Sequence, residues 1–170
     1  EMYVQDTWRR ETSNSIVSLN YGLRMSHWSW NKEWLFSPRA SLTYIPKNHD
    51  NMTIRLATGL YYQRPFYKEL RDTITNGATT IVQLNKDIQS QRSFQVIAGY
   101  EYRFKLGKRP FLFSTELYYK AQDRLNPYTI DNTKIVYYGR NCATGNVMGI
   151  DLKLYGEFVP GTDSWLTFSL

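Results

Sequence analysis

Two-residue periodicity, sustained over unusually long segments, constrains this chain more than any other feature. From Met52 to Gln63, Met52, Ile54, Leu56, Leu60 and Tyr62 share one parity, while Thr53, Arg55, Ala57, Gly59 and Gln63 take the other. Successive side chains of a strand point to opposite sides, so this is a ribbon with one apolar and one polar face. From 93 to 106 the pattern is cleaner, with Phe94, Val96, Ala98, Tyr100, Tyr102, Phe104 and Leu106 set against Ser93, Gln95, Gly99, Glu101, Arg103 and Lys105. A slip of one residue would exchange the two faces, so the pattern specifies pairing register as well as orientation.

The same alternation recurs along the chain. In 16 to 27, Val17, Leu19, Tyr21, Leu23 and Met25 oppose Ser18, Asn20, Gly22, Arg24 and Ser26. In 34 to 45, Trp34, Phe36, Ala40, Leu42 and Tyr44 oppose Ser37, Arg39, Ser41 and Thr43, with Pro38 predicting a bulge because it cannot donate a ladder hydrogen bond. Residues 111 to 121 and 148 to 158 follow suit, the second with Met148, Ile150, Leu152, Leu154 and Phe158 against Asp151, Lys153, Tyr155 and Glu157. Two shorter strands, 2 to 9 and 165 to 170, complete a set of about eight, a number that small barrels and sheets share. Parity in the first is mixed, since Asp6 falls with Met2, Val4 and Trp8.

Magnitudes decide what the apolar face meets. A basic side chain facing the middle of a bilayer costs about 2 to 4 kcal/mol, falling to about 0 to 1 at its edges. Turning 93 to 106 over would set Glu101, Arg103 and Lys105 against lipid; left as it is, the strand offers lipid only apolar groups. Aromatics make up 16% of the chain although the mean hydropathy is −0.52, a combination that suits a wall oily on one side and wet on the other. No run of eighteen apolar residues occurs, which excludes a transmembrane helix by length and leaves a closed barrel as the way to span. Segments of roughly 11 to 14 residues, tilted by about 40°, cover an apolar band of about 25 Å, whereas a soluble sandwich needs strands of about five or six.

Connections and aromatics agree with that reading. Short polar turns near 11 to 14, 46 to 50, 107 to 110 and 160 to 164 alternate with links at 29 to 33, 64 to 90 and 123 to 143. Outer-membrane barrels are built this way, with short turns in the periplasm and long loops outside. Trp28, Trp30, Trp34 and Phe36 near the longer links, and Tyr44, Phe104, Phe111 and Trp165 near the turns, predict two interfacial girdles. The predicted fold is all-β, an antiparallel transmembrane β-barrel segment. Its first residues, EMYVQDTWRR, lack the basic-then-apolar order of a signal peptide, so a piece of a longer or processed chain is expected.

Other chemistries find little support. Cys142 has no second cysteine to pair with, and neither His27 nor His49 is near it in sequence, so no metal and no cofactor is expected. Lysines and arginines are scattered singly rather than gathered into a stripe, which argues against nucleic acid despite a formal charge of +6. No nucleophile turn, phosphate loop or metal-spaced cluster points to an enzyme.

Several stretches together resemble the carboxy-terminal half of a TonB-dependent receptor barrel, in particular the Bacteroidetes type. The carriers are YVQDTWR at 3 to 9, LNYGLR at 19 to 24, FSPRASLTYIP at 36 to 46, ATGLYYQRP at 57 to 65 and YYGRNCATGNVMGIDLKLYGEFVPG at 137 to 161, the last being the most specific. The resemblance implies a barrel of about 22 strands closed by a plug. It also implies outer-membrane lipid around the wall, energy delivered by TonB of an inner-membrane complex through an amino-terminal part not contained here, and a surface lipoprotein as a further partner. Its cargo is a scarce nutrient such as a siderophore, glycan or peptide.

Within that frame the candidate residues fall into two groups. Arg24, Arg39, Arg55, Glu101, Arg103, Lys105, Glu116, Lys120, Asp151, Lys153 and Glu157 face the lumen, either as a solvated, mutually paired wall or in contact with a plug. Arg64, Phe66, Tyr67 and Arg71 in the link 64 to 90, where a short capping helix is the plainer reading, are candidates to touch substrate. Tyr128, Tyr137, Tyr138, Arg140 and Asn141 in the link 123 to 143 are the others, because binding residues concentrate on loops held by rigid scaffolds. Two other architectures compete: a self-contained eight-stranded barrel acting as anchor or enzyme, and a soluble lipocalin-like barrel with its apolar face inside.

Overall fold

The computed structural model describes residues 1–76 and 79–170. In chain order it contains β1 (Met2–Glu11), β2 (Ser15–Trp28), β3 (Glu33–Pro46) and β4 (Met52–Gln63), then a one-turn helix α1 (Tyr67–Leu70) and a short hairpin of β5 (Arg71–Asn76) and β6 (Thr79–Leu84). There follow β7 (Gln91–Leu106), β8 (Arg109–Leu125), a second short hairpin of β9 (Tyr128–Asp131) and β10 (Lys134–Tyr137), and finally β11 (Ala143–Val159) and β12 (Thr162–Ser169). Eight of these strands form one antiparallel sheet in the order β1-β2-β3-β4-β7-β8-β11-β12. It is an up-and-down meander, and β1 is not paired with β12, so the sheet is open and does not form a closed eight-stranded barrel.

Register carries the two faces across the whole sheet. Tyr21 faces Ala40, which faces Thr58, then Val96, Tyr119 and Met148. On the other face Arg55 lies opposite Gly99, Gly99 opposite Glu116, and Glu116 opposite Asp151. The alternation read in each strand is therefore one continuous apolar surface backed by one continuous charged surface. Leu117 stays 55% exposed and Met148 70%, while among the described residues the buried apolar ones are only Leu35, Leu70, Ile88 and Phe111. An apolar sheet face this extensive needs a nonpolar solvent, and lipid supplies one.

Turn chemistry sets where strands reverse. Gly107 and Lys108 join Leu106 to Arg109, with Gly107 at φ 66°, the left-handed first position that a type II′ hairpin requires. Pro160 and Gly161 join β11 to β12, with Gly161 at φ 74°, which is the residue pattern of a type II turn. That turn matches strand twist less well, and a register shift follows between Gly156 and Val159. Phe111 lies against Gly156, where an added Cβ would come within 2.7 Å of the Pro110 carbonyl, and its ring also meets Phe104 and Phe158. With Tyr102 stacked on Phe104, these rings form an aromatic band near the turn end.

Three expectations are corrected. Pro38 makes no bulge: β2 and β3 pair without interruption from Ser15 and Pro46 to Trp28 and Glu33. The missing N–H is accommodated differently, because the ladder from β3 to β4 ends at Arg39 and Gly59, just before Pro38. Trp165 lies opposite Tyr155, on the charged face, so it does not belong to a girdle on the apolar face. The links 64 to 90 and 123 to 143 hold hairpins of their own, alongside the expected one-turn helix; residues 77 and 78 of the first link lie outside the described residues.

Candidate binding surface at the loop end

The three longer connections leave the sheet at one end and are tied together there. Residues 85 to 90 have no regular structure, so their backbone groups need partners from elsewhere. Glu33, at the start of β3, accepts the Ser90 N–H at 2.9 Å and Asn31 Nδ2 at 3.3 Å on one oxygen, while Arg124 Nη1 stands 3.4 Å from the other. Asn31 also donates to the Ile88 carbonyl at 3.2 Å. From the far side, Asn141 donates to the Gln89 and Arg124 carbonyls and accepts the Gln89 N–H. Asn85 donates to the Gly139 carbonyl at 2.9 Å, and Lys86 Nζ sits 5.3 Å from the centre of the Trp30 ring. Arg124 adopts φ 55° where β8 and β11 shift register, which turns its carbonyl toward Asn141.

Burial is deepest in this region. Ile88 is 1% exposed and Ser90 0%, with the Ser90 hydroxyl lacking a hydrogen-bond partner among the described residues. Glu69, the third residue of α1, accepts Gln91 Nε2 at 3.2 Å on its carboxylate, and its carbonyl accepts Asn126 Nδ2 at 3.4 Å. Burial pushes its carboxyl above the usual range, against the opposing hydrogen bond from Gln91. No salt bridge reaches Glu69 among the described residues.

The loop candidates divide by exposure and engagement. Phe66, Tyr67, Tyr128 and Tyr138 are more than half exposed, Arg71 is exposed, and Tyr128 meets Tyr137 edge to face at 5.8 Å. Arg64 donates to the His27 carbonyl at 3.4 Å, and the Arg140 N–H donates to Asn126. Asn141 is engaged in holding the loops. Sequence reasoning missed Glu33 and Glu69, and no local signal marks either.

On the charged face, Arg55 lies 2.5 Å from Glu101, and Arg103 lies 3.8 Å from the other oxygen of the same carboxylate. Glu116 and Asp151 oppose each other directly. Lys120 faces Gln95 and Val147, Lys153 faces Ser114 and Thr167, and Lys105 faces Pro110. Glu157 falls within the register shift of β11, its carbonyl receiving Arg109 Nη1 at 3.2 Å.

Between β2, β3 and β4 this face is hollowed. Two adjoining hollows of about 470 and 390 Å³ share Glu1, Arg24, Ser37, Arg39 and Tyr61 in their walls. Arg24 pairs with Glu1 at 2.7 Å and, with a smaller contribution from Arg64, holds that carboxyl below its usual range. The Arg39 guanidinium lies 4.6 Å from the centre of the Tyr61 ring. The ring folds back over Gly59, where an added Cβ would come 2.9 Å from it. Two side chains from different strands are thus set by one absent side chain.

A family model described as TonB dependent receptor-like, beta-barrel matches residues 2–170. No curated protein and no solved structure matches.

Proposed function

The chain belongs to the TonB-dependent receptor β-barrel family, a family of outer-membrane receptors and transporters, and from this premise we propose that it captures a scarce nutrient at its loop end and passes it inward along its charged face. One observation carries the reading: three loops converge by hydrogen bonds at the mouth of a charged face whose reverse is predominantly apolar. A rigid platform of this kind supports exposed Phe66, Tyr67, Tyr128 and Tyr138 as ligand contacts.

In this proposal the charged face lines the lumen of a larger barrel and meets a plug that gates it. Energy arrives through TonB, and the cargo is a siderophore, glycan or peptide, delivered with or without a surface lipoprotein. The segment YYGRNCATGNVMGIDLKLYGEFVPG favours the carboxy-terminal part of a Bacteroidetes-type barrel. Catalysis is no part of the reading.

Uptake by the native organism tests it. Deleting the gene abolishes uptake of one nutrient from a panel of ferric siderophores, oligosaccharides and peptides, and deleting TonB or collapsing the proton gradient gives the same loss. Uptake that depends on the gene but persists without TonB refutes the energy coupling.

A further inference from the structure

We infer that the cleft between β2, β3 and β4 is a subsite for an anionic ligand, one bearing carboxylate, phosphate or sulfate groups, which a nutrient meets on entering the lumen; this rests on the import reading above. Three guanidinium groups, Arg24, Arg39 and Arg64, stand around the hollow that reaches toward the loop end, against the single carboxylate of Glu1, leaving a surplus of two positive charges. Guanidinium groups present N–H donors in a planar fork that matches an oxyanion.

Arg39 is the anchor. Tyr61 takes the flat side of its guanidinium, which leaves the in-plane N–H groups directed outward, and no salt bridge engages it among the described residues. Gly59 allows this arrangement by admitting the Tyr61 ring above it. Gly22, Ser37 and Ala57 line the larger of the two hollows without bulk. Beyond Arg39 and Gly59 the strands β3 and β4 are no longer hydrogen-bonded, and the cleft opens on the side of Arg64, the first residue after β4.

What sets the cleft apart is how few acids share its arginines. Farther along the face Arg55 and Arg103 are shared with Glu101, and β8 and β11 oppose Glu116 to Asp151. An anion on the charged face therefore meets Arg39 and Arg64 free of salt bridges among the described residues at β3 and β4, whereas on β8 and β11 Glu116, Asp151 and Glu157 offset Lys120 and Lys153.

The test uses the protein purified from outer membranes in a nonionic detergent, with sucrose octasulfate as probe and sucrose as its neutral counterpart, by titration calorimetry. The octasulfate binds and sucrose does not. Affinity falls at least tenfold in Arg39→Glu/Arg64→Glu, stays within twofold in Arg10→Glu/Lys108→Glu, which changes net charge equally at the turn end, and falls severalfold in Gly59→Leu, which changes no charge. Heat-modifiable migration on gels verifies that each variant is folded, and Arg39→Lys, which keeps the charge without the fork, gives an intermediate loss. Equal loss in the turn-end control shows attraction to net charge alone and overturns the proposal. So does absence of octasulfate binding to the wild type, the result expected if a plug fills the cleft. Absence of binding with TonB-dependent uptake intact defeats only this inference, whereas octasulfate binding with TonB-independent uptake defeats only the import reading.

Discussion

Asn141 holds Gln89 by both of its backbone groups: the Gln89 N–H donates to Asn141 Oδ1 at 2.7 Å, and Asn141 Nδ2 donates to the Gln89 carbonyl at 3.0 Å. One side-chain amide thus does for a loop what a neighbouring strand does for a sheet. The same Nδ2 also reaches the Arg124 carbonyl, so the loop preceding β11 clamps the segment leading into β7 to the end of β8.

Replacing Asn141 by Ala leaves those backbone groups without their partner. Three bonds are lost, two exposed and one partly buried, and at about 0.5 to 1.5 kcal/mol net for an ordinary hydrogen bond, least for the exposed ones, the total is about 1 to 3 kcal/mol. Amide exchange of residues 85 to 90 should accelerate by roughly the factor this implies, about 5- to 150-fold, while the strands of the sheet keep their protection. Unchanged exchange in that segment would show that the clamp carries no energy.

Glu69 gives the same region a pH dependence. Its carboxyl is buried and its pKa raised, so the docked loop favours the neutral acid over the carboxylate. Below the usual carboxylate range both docked and undocked states hold the proton, and there is no penalty. As pH rises through the raised value the buried group ionises and docking weakens. Protection of residues 66 to 70, corrected for intrinsic exchange, should therefore fall as pH climbs out of the usual carboxylate range, and Glu69→Gln should flatten the profile. A profile identical in the variant rules Glu69 out as its source.

How much of this was legible in the sequence follows from range. The faces of β2, β4, β7 and β11 were, because parity is a local property and each strand repeats it several times. Trp165 was not, since β12 is short and only its pairing with Tyr155 shows which side the ring takes. Pro38 announced an irregularity, but whether a bulge or an ended ladder absorbs the missing donor depends on β4, a different part of the chain. The hub at Glu33 needs Asn31, Ser90 and Arg124 brought together, and nothing in the vicinity of Glu33 foretells the last two. The arginine cleft falls between these cases, its side assigned by parity and its shape set by Gly59 two residues before Tyr61.

Asp6 is the acid that parity placed on the apolar face, and the structure keeps it there, opposite Tyr21 and flanked by Val4 and Trp8. The Tyr21 hydroxyl donates to it at 3.0 Å, and the Thr7 N–H donates to its other oxygen at 2.8 Å. Tyr21→Phe removes one of two donors from a carboxylate on the apolar face and should lower the unfolding midpoint in lipid or detergent. Replacing both partners, as Asp6→Leu/Tyr21→Phe, removes the polar group altogether and should restore the midpoint to the wild-type value or above it. A double variant no better than Tyr21→Phe alone would mean that the hydrogen bond does not hold the acid in place.

Glu116 and Asp151 make the opposite kind of pair, two like charges directly across β8 and β11. Such pairs are destabilising, by roughly 0.2 to 1 kcal/mol relative to neutral partners. Neither carboxylate has a salt bridge among the described residues to offset this. Glu116→Gln should therefore stabilise the sheet by up to about that amount, and Glu116→Lys by more, because it sets a cation opposite Asp151. Glu116→Lys/Asp151→Lys should give the gain back by restoring a like-charged pair. The effect is electrostatic on a wet face, so it should shrink between about 0.01 and 1 M salt, where the screening length falls from about 30 to about 3 Å. Denaturant unfolding at the two salt concentrations reads the sign directly. A gain in Glu116→Lys that survives high salt would come from packing or strand propensity, and a loss at low salt would mean that the two carboxylates share a favourable partner, as a plug contact would provide.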